Sequence, residues 1–197
     1  MADPRPRKMH TQTLDERREA ERRKYLKLAT KSGGGSAGGY GSTNHGRHAY
    51  ATVISWQPRF VVDFGCGSND FIHELRRRGI DGLGVDFANE QADIVAPMHC
   101  VPLAGGIADA VTSFDALEHL LPEDVDPALA EMRRVATSGG RPGGRFIFSI
   151  CTRPSRITVD GQNLHPTVRP IEWWLERIAR VALITDVTRY VTGVFHA

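Results

Sequence analysis

The stretch VVDFGCGSND, residues 61–70, determines the fold that we expect for this chain. It begins as a short apolar run that ends in glycine, which is typical of a buried strand in a parallel sheet. Gly65 and Gly67 then stand one residue apart, and Asp63 precedes the first glycine by two residues. Glycine lets a ligand approach the backbone where a Cβ atom would collide. We therefore expect a strand that ends against a bound ligand.

Strands and helices alternate along the chain around this stretch. The predicted strands lie at 59–65, 81–88, within 107–117 and at 143–150. The predicted helices lie at 70–79, 123–136 and 169–181. The final segments, ALITDVTRYV and GVFHA, are predicted to form an antiparallel closing pair. This alternation indicates an α/β fold built on a mostly parallel sheet.

Composition excludes several classes of protein. The chain has 197 residues, enough for one domain of ordinary size, and its net charge of +2 does not favour nucleic-acid or membrane binding by the chain as a whole. The three cysteines form no CxxC pair, so we expect neither a disulfide framework nor a metal site. No apolar run approaches the roughly 20 residues of a membrane span. These features predict a cytoplasmic protein.

The N-terminal part differs from the rest in charge and composition. Residues 1–31 contain ten Lys or Arg against five Asp or Glu, and a helix is predicted over 14–30. A Gly/Ser-rich stretch follows, which suits either a lid over a pocket or a simple tether. We divide the chain into a charged helix with a glycine-rich linker, 1–44, and a main domain, 45–197. The helix is expected to be mostly solvated or to dock only at its C-terminal end, and a solvated extension is favoured over a basic arm that contacts phosphates.

A second acidic residue supports a nucleoside ligand. Asp86 ends a predicted strand about twenty residues after the glycine turn, the spacing at which a carboxylate reaches ribose hydroxyls. The third glycine of a dinucleotide motif is absent, and Asn69, near its place, tolerates the left-handed conformation at modest cost. Asp63 would repel a pyrophosphate and attract a cation. S-adenosylmethionine carries both a ribose and positive charge.

Four stretches resemble, in order, the motifs of class I S-adenosylmethionine-dependent methyltransferases. They are VVDFGCG (61–67), GLGVDFA (82–88), ADAVTSFDALEHL (108–120) and RPGGRFIFSI (141–150). The resemblance implies a Rossmann-like, mostly parallel seven-stranded sheet with an antiparallel closing strand and helices on both faces. It also implies that the cofactor contacts Asp63, Gly65, Cys66, Gly67, Asp86, Phe87 and Asp115. Pro97 stands where relatives commonly place an acid for adenine, so we expect Met98 and His99 to contact the adenine through their backbone.

The acceptor is expected to meet residues that follow the fourth and fifth strands. His165 is the best candidate for a general base, and His119 is a second one. Tyr40, His45, Asn163 and Trp174 are predicted to bind the acceptor. The spacing of His165 from the Trp-Trp pair is loosely similar to that in methyltransferases of glycan synthesis. We therefore expect methyl transfer to a small-molecule or glycan acceptor, at oxygen.

Two other functions remain open at this level. A nucleic-acid methyltransferase would use the basic N-terminal arm as its anchor, and its binding would depend steeply on salt. The Asn-Pro-Pro-Tyr and Asp-Pro-Pro-Tyr motifs of amino-methylating nucleic-acid enzymes are absent, which disfavours this function. A non-catalytic subunit with the same fold would show no turnover with any acceptor. The oligomeric state does not follow from the sequence.

Overall fold

A computed structural model of the chain describes residues 12–31, 44–137 and 143–197, and for residues 29–31 it describes the backbone alone. The helices are α1 (Leu14–Lys31), α2 (Tyr50–Ser55), α3 (Asp70–Arg77), α4 (Pro122–Ala136) and α5 (Ile171–Ala179). The strands are β1 (Phe60–Phe64), β2 (Asp81–Asp86), β3 (Ile94–Val95), β4 (Ala110–Phe114), β5 (Arg145–Ser149), β6 (Thr158–Val159), β7 (Gln162–Asn163), β8 (Ala182–Val187) and β9 (Val191–Phe195). Two short 3₁₀ turns, His45–His48 and Leu117–His119, complete the described elements.

Seven of the strands form one sheet in the order β3-β2-β1-β4-β5-β9-β8. Strands β1 to β5 run parallel to one another, and β9 is antiparallel to both β5 and β8. This confirms the predicted sheet and its closing pair. The strand order reverses between β1 and β4, and ligands of open α/β sheets bind at such a switch point, beyond the carboxyl ends of the strands.

The two edges of this sheet are irregular. Strand β3, at one edge, has two residues and was not predicted from the sequence. Strand β8, at the other edge, has a register shift between Ile184 and Asp186 where it pairs with β9. Outside the sheet, β6 and β7 form a small hairpin of their own.

The core is split by the sheet into two layers, because helices cover both faces. Successive residues of β1 alternate between the layers, as the two-residue period of a strand requires. Val62 and Phe64 pack in the layer that contains α4 and α5, whereas Val61 packs with α3 in the other layer. All three are fully buried. In residues 12–31, 44–137 and 143–197, no helix combines the length and the apolar character needed to cross a membrane.

Helix α1 is docked on the rest of the structure along its length. Near its start, Arg17 bonds to Glu123 at 2.7 Å and Arg18 bonds to Asp124 at 2.9 Å. Further along, the Tyr25 ring is only 1% exposed. The expectation of a solvated extension is therefore wrong for the described part of this segment. The alternative of docking at the C-terminal end agrees with the burial of Tyr25, but the contacts of Arg17 and Arg18 show that docking is not confined to that end. The proposed linker, residues 32–39, lies outside the described residues.

Candidate cofactor and acceptor site

A cavity of about 620 Å³ lies beyond the carboxyl ends of β1, β2 and β4. Helix α1 and the segment 151–165 form further parts of its wall. The predicted residues that line it are Asp63, Gly65, Cys66, Gly67, Asp86, Phe87, Met98, Asp115, His119, His45 and His165. Most of the predicted cofactor and acceptor residues thus meet at one place, the switch point of the sheet.

Asp63 provides a buried carboxyl group at the floor of this cavity. Its side chain is 3% exposed, and the Thr112 hydroxyl donates a hydrogen bond of 2.6 Å to it. Burial raises the pKa of Asp63 to about 7 in spite of this bond. A cationic ligand would favour the charged carboxylate again, because an opposite charge nearby stabilises the ionised form. The group therefore fits the amino end of a methionine moiety.

The glycine turn is shaped mainly by contacts within the protein. Gly65 has a φ of +77°, and a Cβ atom there would lie 2.4 Å from the Cβ of Ala116 and 2.7 Å from the Cε of Met98. Its N–H donates to the carbonyl of Val85 at 2.7 Å. The first glycine is therefore required for the left-handed backbone and for close packing, and not only to make room for a ligand.

Asp86 connects the glycine turn to the end of β2. Its carboxylate accepts N–H bonds from Gly67 at 3.2 Å, from Ala88 at 2.9 Å and from Asn89 at 3.0 Å. These bonds hold the carboxylate, itself 3% exposed, in the cavity wall. Sequence reasoning found the residue but not its role in holding the turn.

Asn69 closes the same turn from the other side. It has φ 64° and ψ 16°, which confirms the expected left-handed conformation. Its side-chain amide donates to Asp93 at 2.9 Å, and Asp93 also accepts the N–H of Gly84 at 2.8 Å. Asp93 was missed in the sequence because no motif marks it.

His45 and Asp115 form a polar pair in the cavity wall. The Nδ1 atom of His45 lies 2.7 Å from a carboxylate oxygen of Asp115. This hydrogen bond raises the pKa of His45. Burial raises the pKa of Asp115, but the bond and charge of His45 outweigh burial and leave that pKa lowered. The pair can hold one proton between an imidazole and a carboxylate, next to where a ligand would lie.

His119 is held by groups from two distant segments. Its Nδ1 atom contacts the Tyr25 hydroxyl of α1 and lies 3.0 Å from the carbonyl oxygen of Leu164. The Tyr25 hydroxyl also donates to that carbonyl at 3.1 Å. Burial and the neighbouring His165 lower the pKa of His119 to about 4. His119 is therefore neutral at physiological pH and a weak base.

His165 faces the same region and is only partly buried. Its Nδ1 atom lies 2.8 Å from the carbonyl oxygen of Arg153. Its ring packs edge-on against that of His119, with centroids 4.6 Å apart. A carbonyl can only accept, so Nδ1 carries the proton and Nε2 keeps its lone pair.

Glu118 adds a buried carboxyl group beside these two histidines. Its side chain is fully buried, lines the cavity and has no hydrogen-bond partner in the described residues for either oxygen. Burial raises the pKa of Glu118 to about 8, although backbone N–H groups of Glu118 and Cys151 lie close enough to oppose this shift. Neither N–H reaches a carboxylate oxygen of Glu118 with ordinary hydrogen-bond geometry.

Three predicted residues do not line the cavity. Trp174 is fully buried in the core, so the prediction that it binds the acceptor is wrong. Adjacent residues on a helix face different directions, and of the two tryptophans Trp173 is the more exposed. His99 does not reach the cavity either, whereas Met98 does. Tyr40 lies outside the described residues.

Asn163 is the third of these residues, and it acts on the backbone. Its side chain accepts the N–H groups of Ser155 at 3.0 Å and His165 at 2.9 Å and donates to the Ser155 carbonyl at 2.8 Å. The prediction that it binds the acceptor directly is therefore corrected. It fixes the segment that carries His165.

The family comparison agrees with this geometry. Residues 62–148 match the family described as "Methyltransferase domain". Together with the four sequence motifs, this match supports a class I S-adenosylmethionine-dependent methyltransferase. The match spans β1 to β5, the strands that carry the glycine turn, Asp86 and the Asp115–His119 segment. Among curated proteins, no sequence matches this methyltransferase significantly.

Solved structures of other proteins share the fold of this methyltransferase. One is the 1,6-didemethyltoxoflavin-N1-methyltransferase of Burkholderia thailandensis, with 1,6-didemethyltoxoflavin and S-adenosylhomocysteine bound. It has a TM-score of 0.71 at 16% identity, and the alignment covers 98% of this chain and 94% of that one. A protein from Listeria monocytogenes that is described as a putative S-adenosylmethionine-dependent methyltransferase has a TM-score of 0.54 at 13% identity. That alignment covers 71% of this chain and 92% of the other.

A nucleic-acid enzyme also shares this fold. The 16S rRNA (adenine(1408)-N(1))-methyltransferase of Catenulisporales acidiphilia, as a W203A mutant with S-adenosylmethionine, has a TM-score of 0.51 at 19% identity. That alignment covers 75% of this chain and 90% of the other. At these identities the likeness concerns the fold, and a fold hosts many acceptors.

The chemistry of the cavity fits S-adenosylmethionine, the cofactor of this methyltransferase. The buried carboxyl of Asp63 lies at its floor, where a cation could bind. Asp86 lies in its wall at the end of β2, where a ribose could bind. The apolar side chain of Met98 and the ring of Phe87 provide flat or flexible surface nearby. This set suits a ligand that combines an ammonium, a sulfonium, a ribose and an aromatic base.

Proposed function

We propose that this methyltransferase acts on an oxygen atom of a small-molecule or glycan acceptor. The observation that carries the proposal is the size of the cavity, with Tyr25 and Leu28 of α1 in its wall. Its volume of about 620 Å³ lies within the roughly 300–1,000 Å³ usual for small ligands. The cofactor must share this space, so the room that remains suits a small acceptor or one sugar unit.

The first half of the cavity would hold the cofactor. Asp63 would bind the methionine ammonium and Asp86 the ribose hydroxyls, while Gly65 and Gly67 form the turn beneath them. When bound, S-adenosylmethionine supplies a methyl group on a positively charged sulfur, which is open to attack by a nucleophile. The protein's part is to fix the direction of approach, which lowers the entropic cost of the reaction.

The second half would hold the acceptor, against His119 and His165. His165 is our candidate for the group that takes the acceptor's proton. Its Nδ1 donates to the carbonyl of Arg153, which leaves the lone pair of Nε2 able to accept a proton. His119 would bind rather than deprotonate the acceptor, since its pKa of about 4 makes it a weak base. The His45–Asp115 pair would border the same space.

A nucleic-acid acceptor receives less support. Several basic side chains in the described part of α1 are engaged within the chain: Arg17 with Glu123, Arg18 with Asp124 and Lys27 with Asp160. A phosphate-binding surface needs cationic side chains that are free to pair with phosphates and so displace the counterions of the nucleic acid. The docked helix therefore supports a role as a cavity wall more than a role as a nucleic-acid anchor.

Calorimetric titration with S-adenosylhomocysteine tests the cofactor half. We expect micromolar binding that Asp86→Ala abolishes or weakens at least tenfold. Asp81→Ala is the matched control, because it removes an exposed carboxyl at the other end of β2. Equal affinity in wild type and Asp86→Ala would exclude Asp86 as the ribose ligand.

An acceptor screen with isotopically labelled methyl donor tests the second half. Phenols, sugars and other small hydroxyl compounds are compared with total RNA, and the labelled product is separated by size. Label in a small hydroxyl compound, lost in His165→Asn and retained in His73→Asn, is the expected result. Label in RNA, or on nitrogen of a small molecule, would overturn the proposed acceptor class while leaving the cofactor assignment intact.

A further inference from the structure

We infer that Glu118, His119 and His165 together bind one divalent transition-metal ion in the acceptor half of the cavity. One potential ligand atom from each of these residues lies within 4.8 Å of the other two. All three residues line the cavity. The binding of the ion is independent of the proposed function, whereas its use in orienting an acceptor hydroxyl rests on that function.

The spacing is close to that of a metal site. With metal–ligand bonds of about 2.0–2.2 Å, neighbouring ligand atoms of a four- or six-coordinate ion lie roughly 3–3.5 Å apart. The observed atoms lie within 4.8 Å of one another, so rotations of the side chains by about 1 Å bring them to that distance. Two imidazoles and one carboxylate also occur together in catalytic zinc sites that keep a position open for a further ligand.

Both histidines are oriented as metal ligands usually are. His165 donates its Nδ1–H to the carbonyl of Arg153 at 2.8 Å, and the Nδ1 of His119 lies 3.0 Å from the carbonyl of Leu164. Because a carbonyl oxygen only accepts, the bond of His165 places the proton on Nδ1 and leaves Nε2 with its lone pair. The Tyr25 hydroxyl also contacts Nδ1 of His119, but it donates its proton to the Leu164 carbonyl, so Nδ1 of His119 carries a proton as well. A backbone carbonyl on the second ring nitrogen is the usual support of a ligating histidine.

Glu118 provides the independent observation. Its side chain is 0% exposed, and neither carboxylate oxygen has a hydrogen-bond partner in the parts of the chain that the structure describes. Burying a carboxyl group without a partner is costly, and such groups are normally paired or bound to a metal. A divalent ion at this place would satisfy the carboxylate and both imidazole lone pairs at once.

The two segments that carry the ligands are fastened to each other. The N–H of Thr167 donates to the carbonyl of Glu118 at 3.2 Å, and its hydroxyl donates to the carbonyl of Leu120 at 2.6 Å. Asn163 fixes the backbone at His165. The 3₁₀ turn and the 151–165 segment therefore present the three side chains from a rigid frame, which metal binding requires.

The ligand types select the class of ion. Imidazole nitrogens suit Zn²⁺, Co²⁺, Ni²⁺ or Fe²⁺, whereas Mg²⁺ and Ca²⁺ prefer oxygen ligands. Such an ion would hold the acceptor hydroxyl in its open position and lower the pKa of that hydroxyl, so that its proton leaves to solvent before the methyl group is accepted. His165 would then act as a ligand instead of as the base.

Metal titration of the full chain, free of any affinity tag and stripped with chelator, tests this inference. Zn²⁺ is titrated by calorimetry, and Co²⁺ is added separately to record the visible absorption of a coordinated ion. Wild type should bind one Zn²⁺ per chain and give Co²⁺ bands. Glu118→Gln and His165→Asn should each weaken Zn²⁺ binding by about 100-fold or more, since even supporting residues contribute 10–100-fold.

The control is His73→Asn, because His73 is exposed on α3 and does not line the cavity. Zn²⁺ affinity equal to wild type is expected there. The inference fails if wild type binds no Zn²⁺, or if Glu118→Gln and His165→Asn bind it as tightly as His73→Asn does. Titration of each variant with S-adenosylhomocysteine verifies that the variant is folded. For the wild type, Zn²⁺ binding without cofactor binding would overturn the proposed function alone, and cofactor binding without Zn²⁺ binding would overturn the metal site alone.

Discussion

The Nδ1 atom of His45 lies 2.7 Å from the carboxylate of Asp115, and this contact joins the turn before α2 to the end of β4. Asp115 holds a φ of +47°, a conformation that non-glycine residues seldom adopt, and its N–H bonds to Ser149. Strained backbone of this kind concentrates at functional sites. The strain at Asp115 therefore supports a functional role for the pair.

The first prediction concerns the titration of His45. Its pKa should lie above its ordinary value of 6.5 in the wild type, because Asp115 stabilises the protonated ring. In Asp115→Asn the raised pKa should fall back toward 6.5. Proton NMR of the imidazole C–H signals, assigned with His45→Gln, measures both values. Equal titration curves in wild type and Asp115→Asn would show that the pair does not form in solution.

The His45–Asp115 pair should contribute to the free energy of unfolding over a limited range of pH. His45 has a raised pKa in the folded state, so its contribution is complete below pH 6.5 and is lost as pH rises through the folded value. Asp115 has a lowered pKa, so its contribution is lost as pH falls through its own folded value. The difference in unfolding free energy between wild type and Asp115→Asn should thus be largest between these two pKa values, as urea unfolding over a pH series would measure.

The second prediction concerns Gly46, which lies between His45 and the core. A Cβ atom at this position would lie 2.6 Å from ring atoms of Phe114 and of Phe71. Gly46→Ala should therefore lower the free energy of unfolding by about 1–3 kcal/mol, as overpacking of a core does, and should displace His45 from Asp115.

Gly79→Ala provides the comparison for this overpacking. Gly79 has a φ of +79°, but no atom lies within 4 Å of the place of its Cβ. Its alanine variant should cost about 1–2 kcal/mol from backbone strain alone and leave the titration of His45 unchanged. A loss of the His45–Asp115 pair in both variants, or in neither, would contradict the packing argument.

The third prediction concerns Asp63 and the binding of a cationic ligand. The pKa of Asp63 is about 7 in the ligand-free protein, and an ammonium beside it should lower that pKa. Binding of S-adenosylhomocysteine should then release a proton below pH 7 and become tighter as pH rises from about 5 to 8. Calorimetry in buffers of different ionisation enthalpy counts the released proton.

Asp63→Asn separates binding from stability. Its affinity should be weaker and independent of pH over this range. Because the folded pKa lies above the ordinary 3.8, the wild-type carboxyl costs stability increasingly as pH rises from 3.8 to about 7, and above about 7 the cost is constant. Asp63→Asn should therefore be more stable relative to wild type at pH 8 than at pH 5. A stability difference that does not change with pH would contradict this assignment.

The fourth prediction concerns Tyr25. Tyr25→Phe removes a hydroxyl that contacts His119 and Leu164, but those two groups lie 3.0 Å apart and can still bond to each other. The loss should therefore be only about 0.5–1.5 kcal/mol. Tyr25→Ala should cost several-fold more, because it also removes a ring that is 1% exposed. Denaturant unfolding of both variants provides the comparison.

The sequence predicted the sheet and the edge where the site lies because both follow from local patterns. The apolar run before Gly65 and the acid at the end of β2 sit in the structure as expected. The 3₁₀ turn with Glu118 and His119 also follows β4 directly. Motifs of this kind are contiguous, so one sequence is enough to find them.

The parts that sequence reasoning missed depend on contacts between distant residues. Tyr25 reaches His119 across 94 positions, and although the apolar residues near the end of the helix allow docking there, they do not identify the partner. The orientation of Trp174 depended on which face of α5 meets the sheet, which two adjacent tryptophans leave ambiguous. The carbonyls that orient His119 and His165 leave no signal in side-chain patterns at all.

The docking of α1 has a consequence for how the enzyme should respond to ionic strength. Part of the cavity wall is a helix held by ion pairs, such as that of Arg17 with Glu123, at positions that are partly exposed to solvent. Exposed pairs weaken as salt screens them, whereas the buried Asp63 and Asp86 are shielded. Added salt should therefore raise the Michaelis constant for the acceptor more than the dissociation constant for S-adenosylhomocysteine.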